Sequence, residues 1–218
     1  GVMSSRIEIL KLLSDGRFHS GAEIGRLLGV SRAAVNKGVQ RLAKSGFGIH
    51  SVSGRGYRLE RAFQPLSRER ILDALGREAR AWRERLEILD EVDSTSLHLL
   101  RKIPGPLPAG QTCAAESQSG GRGRRGRGWI ASAYRNVLFS MAWNYDSGPQ
   151  IATGLSLAAG VAVVRALREY GVTGVALKWP NDVVWQERKL AGILVDLRGE
   201  ASGPCQVVLG MGLNVDID

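Results

Sequence analysis

The stretch SGAEIGRLLGVSRAAVNKGVQRL, Ser20 to Leu42, constrains the fold more tightly than any other part of the chain. Ser20 and Glu23 have the S-x-x-E spacing of a capping box, in which a hydroxyl and a carboxylate satisfy each other's backbone N–H groups and start a helix. Ile24, Leu27 and Leu28 follow as the apolar positions, and Gly29 supplies the left-handed residue that ends such a helix. Ser31 then caps another helix, whose Val35, Val39 and Leu42 point inward while Arg32, Asn36, Lys37, Gln40 and Arg41 fall elsewhere. Two helices joined by a short turn, the second rich in polar and basic side chains, form the arrangement that lays one helix in the major groove of DNA.

The flanking sequence extends this unit. Before it, RIEILKLLSDG places Ile7, Leu10 and Leu13 at helical spacing and stops at Gly16. After it, GIHSVSGRGYRLE reads as two strands around Ser53-Gly54-Arg55-Gly56, a hairpin with Arg55 at its tip. The whole reads as a winged helix-turn-helix over residues 1–61. A three-helix packing module with solvated charges would share the pattern, but the charge distribution favours DNA. Residues 1–61 carry eleven Lys or Arg against four acidic residues, so they hold +7 of the chain's net +9. Ser31, Arg32, Asn36, Lys37, Gln40 and Arg55 are the candidate DNA-binding residues.

Pro65 and Ser67 mark a linker, with Ser67 capping a helix from about Arg68 to Leu75. Beyond it, β-rich runs (LEILDEV, QTCAAES, NVLFSMAW, VALKWP, DVVW, GILVDL, QVVLGMGL) alternate with helical ones (SLHLLRKI, IATGLSLAAGVAVVRALREYG). Such interleaving predicts an α+β fold with a mixed sheet over residues 67–218. The apolar window from Ile151 to Val164 reads as a buried helix, too short to span a bilayer. Cys113 and Cys205 are far apart, and neither clusters with the three histidines. No disulfide framework or zinc site is expected. With no signal-peptide pattern at the N-terminus, the expected location is the cytoplasm, without membrane association.

Three motifs carry the chemistry. In GRGRRGRGW, Gly121 to Trp129, the match to G-x-G-x-x-G suggests a dinucleotide turn, yet that turn needs a following helix and here a strand follows. An RGG segment would need long repeats in disordered sequence. What remains is a glycine-rich loop whose N–H groups and Arg122, Arg124, Arg125 and Arg127 can surround phosphate or carboxylate, with Trp129 able to cover a ring. In KWPND, Pro180 forces a turn that presents Asn181 and Asp182. Asp182 could help hold Mg²⁺ or a ribose, or the pair could simply make the turn. In RKLAGILVDL, Lys189 at the start of a strand could hold a carboxylate and a phosphate together, or flank the strand as a solvated charge.

Taken in order, ESQSGGRGRRGRGW, KWPNDVVW, RKLAGILVDL and GMGLNV resemble the biotin protein ligases. FHSGAEIGRLLGVSRAAVNK with SGRGYRL resembles the bifunctional bacterial members that also repress the biotin operon. The resemblance runs from about Arg6 to Asp216. It implies a class II synthetase-like catalytic domain in which biotin and MgATP give biotinyl-5'-adenylate, and a lysine of the biotin carboxyl carrier protein of acetyl-CoA carboxylase then takes the biotin. It also implies operator DNA as a partner and a homodimer when the adenylate is bound.

Carried over residue by residue, the resemblance places Ser94, Thr95 and Gln118 at the biotin head group. Ser96 stands where the family usually has Asn. Arg122, Gly123 and Arg124 match the loop that closes on biotin and the adenylate, with Arg127 beside it. Trp129 matches the residue that stacks on adenine, and Asn181 and Asp182 match positions near the phosphates and Mg²⁺. Lys189 matches the lysine on the biotin carboxylate and α-phosphate, so Lys189, Arg122 and Arg124 are the candidate catalytic residues. Family members continue past the GMGLNV strand into a small β-barrel, which is expected to be absent from this chain.

Overall fold

The computed structural model describes residues 2–103, 105, 107–146, 148, 150–199 and 203–215. Gly1 and Asp216–Asp218, the outermost residues of the two expected domains, lie outside that set. The chain divides into two compact units, Gly1–Pro65 and Leu66–Asp218.

In the first unit, helices α1 (Val2–Leu13), α2 (Gly21–Leu28) and α3 (Arg32–Lys44) precede the hairpin β1 (Ile49–Val52) and β2 (Gly56–Leu59). Ser20 caps α2 by accepting from the Glu23 N–H, and Ser31 caps α3 by accepting from the Ala34 N–H. The turn between them works because Gly29 is left-handed and the Val30 N–H reaches the Gly25 carbonyl at 2.9 Å. Ile9, Leu10, Leu13, Ile24, Val35, Val39, Leu42 and Leu59 form the core. α1 packs against α3 at Gly38, where a Cβ would meet the Ile9 side chain at 2.4 Å.

Two sequence expectations shift here. Ile9 is fully buried where the spacing favoured Ile7, and Leu27 is 51% exposed. The inward stripe of α2 runs through Gly21, Ile24 and Gly25, which leaves Leu27 at its solvent edge. The wing is fixed by paired backbone bonds between His19 and Tyr57 at 2.9 and 2.8 Å.

The second unit opens with α4 (Arg68–Leu75), a 3-10 turn at Gly76–Glu78 and α5 (Ala79–Trp82). The turn and α5 had no sequence signal. Then come β3 (Leu86–Val92), α6 (Thr95–Leu100), β4 (Gln111–Gln118), β5 (Asn136–Tyr145), α7 (Ile151–Glu169), β6 (Val175–Lys178), β7 (Asp182–Trp185), β8 (Arg188–Gly199) and β9 (Cys205–Asn214). The strands form one sheet in the order β3-β4-β5-β9-β8-β7-β6. The pairing of β3 with β4 is parallel and the others are antiparallel, so the sheet is mixed, as the sequence implied.

Each face of the sheet carries its own cluster. α6 covers one, with Leu99 and Leu100 packed on Cys113, Ala142 and Val208. α7 covers the other, with Val164 against Val175, Val183 and Ala191. By length and apolar composition α7 would suffice to cross a bilayer, contrary to the sequence reading that its apolar window is too short. Nor is it buried all round. Gly160 and Val164 face the sheet, while Leu157 and Val161 face solvent.

Candidate active site

The floor of the site is bare backbone. β8 and β9 pair Gly192 with Gly212 and Leu194 with Gly210, so glycines from adjacent strands share the α6 face of the sheet. A Cβ on Gly212 would lie 2.5 to 2.8 Å from three atoms of the Trp129 indole, and one on Gly192 would lie 2.8 Å from its Cζ3. Trp129 can lie flat here because nothing projects from the strands beneath it. Its Nε1 is buried against this floor with no hydrogen-bond partner.

Lys189 reaches the same floor through an irregularity in the strand. Val183 of β7 pairs with Ala191 and Val184 with Lys189, which skips Leu190 and makes a β-bulge. Leu190 and Ala191 both pack toward the α7 side. Lys189 is thereby turned to the face of Gly192, with its Nζ 5.5 Å from the Trp129 ring centroid and 2.8 Å from Asp182 Oδ1.

At the opposite end lies a buried polar relay. The Thr95 N–H and hydroxyl both donate to Gln118 Oε1, at 2.7 and 3.1 Å. Thr95 and Ser140 share a hydroxyl–hydroxyl bond of 2.8 Å, and Ser140 and Ser96 another of 2.9 Å. With Thr95 donating to Gln118, the relay runs Ser96 to Ser140 to Thr95. This leaves the Ser96 oxygen able to accept and the Gln118 amide able to donate. Ser94 is buried beside them and spends its hydroxyl capping α6 by accepting from the Leu97 N–H. Gly210 makes room for the relay, since a Cβ there would meet Ser96 Oγ at 2.4 Å.

The arginine-glycine loop borders the cavity as a narrow hairpin, with the Gly123 N–H on the Arg127 carbonyl at 2.7 Å and the Trp129 N–H on the Gly121 carbonyl at 2.8 Å. Arg125 at its tip is left-handed. Arg124 donates to Asn181 Oδ1 at 3.1 Å, while the Asn181 amide donates to the Ile193 carbonyl at 2.6 Å, so the KWPND turn is stitched to both β8 and the loop. Arg122 donates to both carboxylate oxygens of Asp196, at 3.2 and 3.3 Å.

One cavity of about 320 Å³ brings together every expected ligand-site residue: Ser94, Thr95, Ser96, Gln118, Arg122, Gly123, Arg124, Arg127, Trp129, Asn181, Asp182 and Lys189. Its volume is that of a small-molecule site. Five cationic side chains line it, counting Arg125, against one carboxylate, Asp182. Such a wall favours an anionic occupant. Ser140, and Asp196 and the three floor glycines within the RKLAGILVDL and GMGLNV motifs, were not singled out from the sequence, because their role depends on which strands are neighbours.

Asp93, just before the relay, is anchored firmly. Two Arg101 bonds of 2.6 and 2.8 Å and the Ser94 N–H pull its carboxyl down to about 2. Below α6, Glu87, His98 and Cys113 bring ligand atoms within 4.8 Å of one another, but Lys102 already holds Glu87 at 2.7 Å. Burial and then the Glu87 charge push the Cys113 thiol up to about 12, so this group reads as an ion-pair network over a protonated core thiol.

In the first unit, Ser31, Arg32, Asn36, Lys37 and Gln40 all lie on the exposed side of α3. Ser31 is engaged as the cap, and Gln40 donates to Asn36, which donates to the Tyr57 hydroxyl at 3.1 Å. Tyr57, which the sequence reading passed over, thus locks α3 to the wing. Arg55 sits over the Phe18 ring at 4.2 Å, so the wing's basic tip is held by a cation–π contact.

Residues 90–214 match the biotin/lipoate A/B protein ligase family, over more than half of the chain. The chain belongs to this family. Residues 6–58 match a helix-turn-helix domain family. The chain is 43% identical over 209 residues to the bifunctional ligase/repressor BirA of Escherichia coli, covering 96% of this chain and 63% of that protein. It is 40% identical over 161 residues to the biotin–[acetyl-CoA-carboxylase] ligase of Mycobacterium tuberculosis, covering 72% of this chain and 58% of that one. The chain therefore spans less than two thirds of the length of these relatives. Among solved structures, the Aquifex aeolicus biotin protein ligase in complex with biotin and ATP aligns at 32% identity and TM-score 0.50, over 62% of this chain and 53% of that one. The Helicobacter pylori biotin acetyl coenzyme A carboxylase synthetase with bound biotinylated ATP aligns at 30% identity and TM-score 0.50, over 59% and 60%.

Proposed function

We propose that this member of the biotin/lipoate ligase family joins biotin to ATP and passes the biotin to a lysine of the carrier domain of acetyl-CoA carboxylase, and that its first unit binds operator DNA as a repressor. The observation that carries the ligase reading is the two-ended cavity, with a buried hydroxyl-amide relay at one end and a wall of arginines and Lys189 at the other. A ureido ring offers one carbonyl acceptor and two N–H donors, which the Gln118 amide and the Ser96 oxygen can meet. A dithiolane ring, the head of lipoate, has nothing strong to exchange with the Gln118 amide and the Ser96 oxygen, and burying them unmet would cost binding. The relay therefore favours biotin within a family that also includes lipoate ligases.

With the head group at the relay, the valeryl carboxylate extends over the glycine floor toward Lys189. In the first step a carboxylate oxygen forms a bond to the α-phosphorus of ATP, the bond from that phosphorus to the bridging oxygen breaks, and pyrophosphate leaves. Two anions must meet, so the barrier is largely electrostatic. Lys189 and Arg124, already fixed by Asp182 and Asn181, supply charge where it develops and need little reorganisation. Removing one such donor typically costs about 3 to 4 kcal/mol, a factor of several hundred in rate. Trp129 lies where its ring face can cover the adenine. In the second step the lysine amine of the carrier attacks the acyl carbon, AMP leaves, and no side chain of this site becomes acylated.

Asp182 presents the hard oxygen donors that Mg²⁺ takes alongside substrate phosphates, so it would hold the ion, which would neutralise phosphate charge. Along β8 the outer edge from Leu194 onward has no strand neighbour among the described residues. An open edge is a template for pairing with a second chain, and it supports a homodimer in the adenylate-bound protein. Isothermal titration with biotin, and with lipoate as competitor, tests the ligand reading. Stoichiometric biotin binding that lipoate does not displace is expected, and displacement by lipoate would overturn it.

A further inference from the structure

We infer that Asp196 is a positioning residue, whose carboxylate tethers Arg122 and thereby holds the arginine-glycine loop over the cavity. The inference rests on the reading above for what the loop covers. Asp196 lies on β8 in register with Val208, on the same face as Gly192 and Leu194, two residues beyond the cavity lining. Its carboxylate takes both terminal nitrogens of Arg122 at 3.2 and 3.3 Å, a two-pronged pair that fixes orientation as well as distance. The Asp196 side chain is 16% exposed and that of Arg122 38%, so the carboxylate end of the pair is sheltered while the guanidinium end meets solvent.

The position of Arg122 in the loop gives the pair its reach. Its backbone bridges Gly128, directly before Trp129, and the Trp129 N–H is held by Gly121, directly before Arg122. Pinning Arg122 to the sheet therefore pins both legs of the hairpin, and with them the ring that lies on Gly192 and Gly212. Arg124 ties the far end of the loop to Asn181. The two arginines thus divide the labour. Arg124 sits beside the turn that faces the phosphates, while the guanidinium of Arg122 is spent on the protein and acts on ligand through the loop. That differs from the role its place in the motif suggests, where Arg122 would be a direct ligand contact.

The test is a double-mutant cycle of Asp196→Asn, Arg122→Gln and both together, with two readouts. The first needs no ligand: hydrogen exchange of the Gly123 and Trp129 amides in the empty protein. Each single variant should speed it about 3- to 10-fold, the range of a modest ion pair, while amides of β8 and β9 stay as in the parent. The second is dissociation of the adenylate, which each single variant should accelerate by a similar factor, with the double variant no worse than either. In the parent, loop exchange should also rise with salt, a dependence Asp196→Asn should abolish. Loop exchange unchanged by Asp196→Asn would overturn the tether. So would faster ligand loss in Arg122→Gln with none in Asp196→Asn, which would make Arg122 a direct contact. Loop exchange that responds in a chain that fails to bind biotin would leave the tether standing and sink the ligase reading alone.

Discussion

Gly212→Ala adds one methyl group, and its consequence can be worked out from the site. The new Cβ would lie 2.5, 2.6 and 2.8 Å from Trp129 Cε2, Nε1 and Cζ2, where ordinary contact begins near 3.4 Å. The ring must retreat by about 1 Å from the β9 backbone. Overpacking of this kind costs about 1 to 3 kcal/mol. Trp129 sits on a loop rather than in a core cluster, so the loop can yield without unfolding the sheet. The cost should therefore fall on nucleotide binding: the KM for ATP should rise about 5- to 150-fold, the same energy expressed as an affinity ratio. Biotin affinity should stay within about threefold, because the relay at Ser96 and Gln118 is untouched, and the melting temperature should hardly move. Pyrophosphate-release kinetics and calorimetry on Gly212→Ala, Trp129→Ala and the double variant decide the matter. Once the ring is gone the methyl group has nothing to strike, so the double variant should match Trp129→Ala. A Gly212→Ala protein with the parent's KM for ATP would refute the packing of Trp129 on the glycine floor.

Three further outcomes are expected. Arg124→Ala should release the adenylate faster by about 10-fold or more, consistent with loss of a charge-assisted contact, measured by chasing labelled adenylate; parental retention would count against the loop's role. Arg32→Ala and Lys37→Ala should each weaken DNA binding and reduce the slope of log K against log salt by about one, with adenylation unchanged; equal damage to both activities would contradict separate roles for the two units. Asp93 has its pKa depressed to about 2 by Arg101 and the Ser94 N–H. Its stabilising contribution should be complete above the ordinary carboxylate range and be lost as pH falls from about 4 toward about 2. Thermal melts of Asp93→Asn and the parent should thus differ equally at pH 6 and pH 8 and converge in acid. A difference that changes between pH 6 and pH 8 would assign the effect to another group.

The sequence made most of the fold legible because its signals are local. Ser20, Gly29 and Ser31 declare two helix ends and a turn within twelve residues, and each strand of the sheet lies on an apolar run bounded by turn residues. Long-range pairing was not legible. Gly192 and Gly212 are twenty residues apart, and neither looks special until β8 and β9 are in register beneath Trp129. The bulge that turns Lys189 toward the site needs β7 as its partner, so the sequence could place the lysine at a strand start but not say which face it takes. Asp196 reads as an ordinary alternating residue until Arg122 is brought across from the loop. α7 misled for a related reason. Apolar composition signals a buried helix, but only the stripe through Gly160 and Val164 meets the sheet.

The central claim, that the arginine wall, Lys189 and the hydroxyl-amide relay form a biotin-activating site, is tested most directly by measuring pyrophosphate release from ATP with this protein and biotin, beside Lys189→Ala. Release that requires biotin, is not evoked by lipoate and falls by about two orders of magnitude or more in the variant is the expected result. Release without biotin, or undiminished in Lys189→Ala, would contradict it.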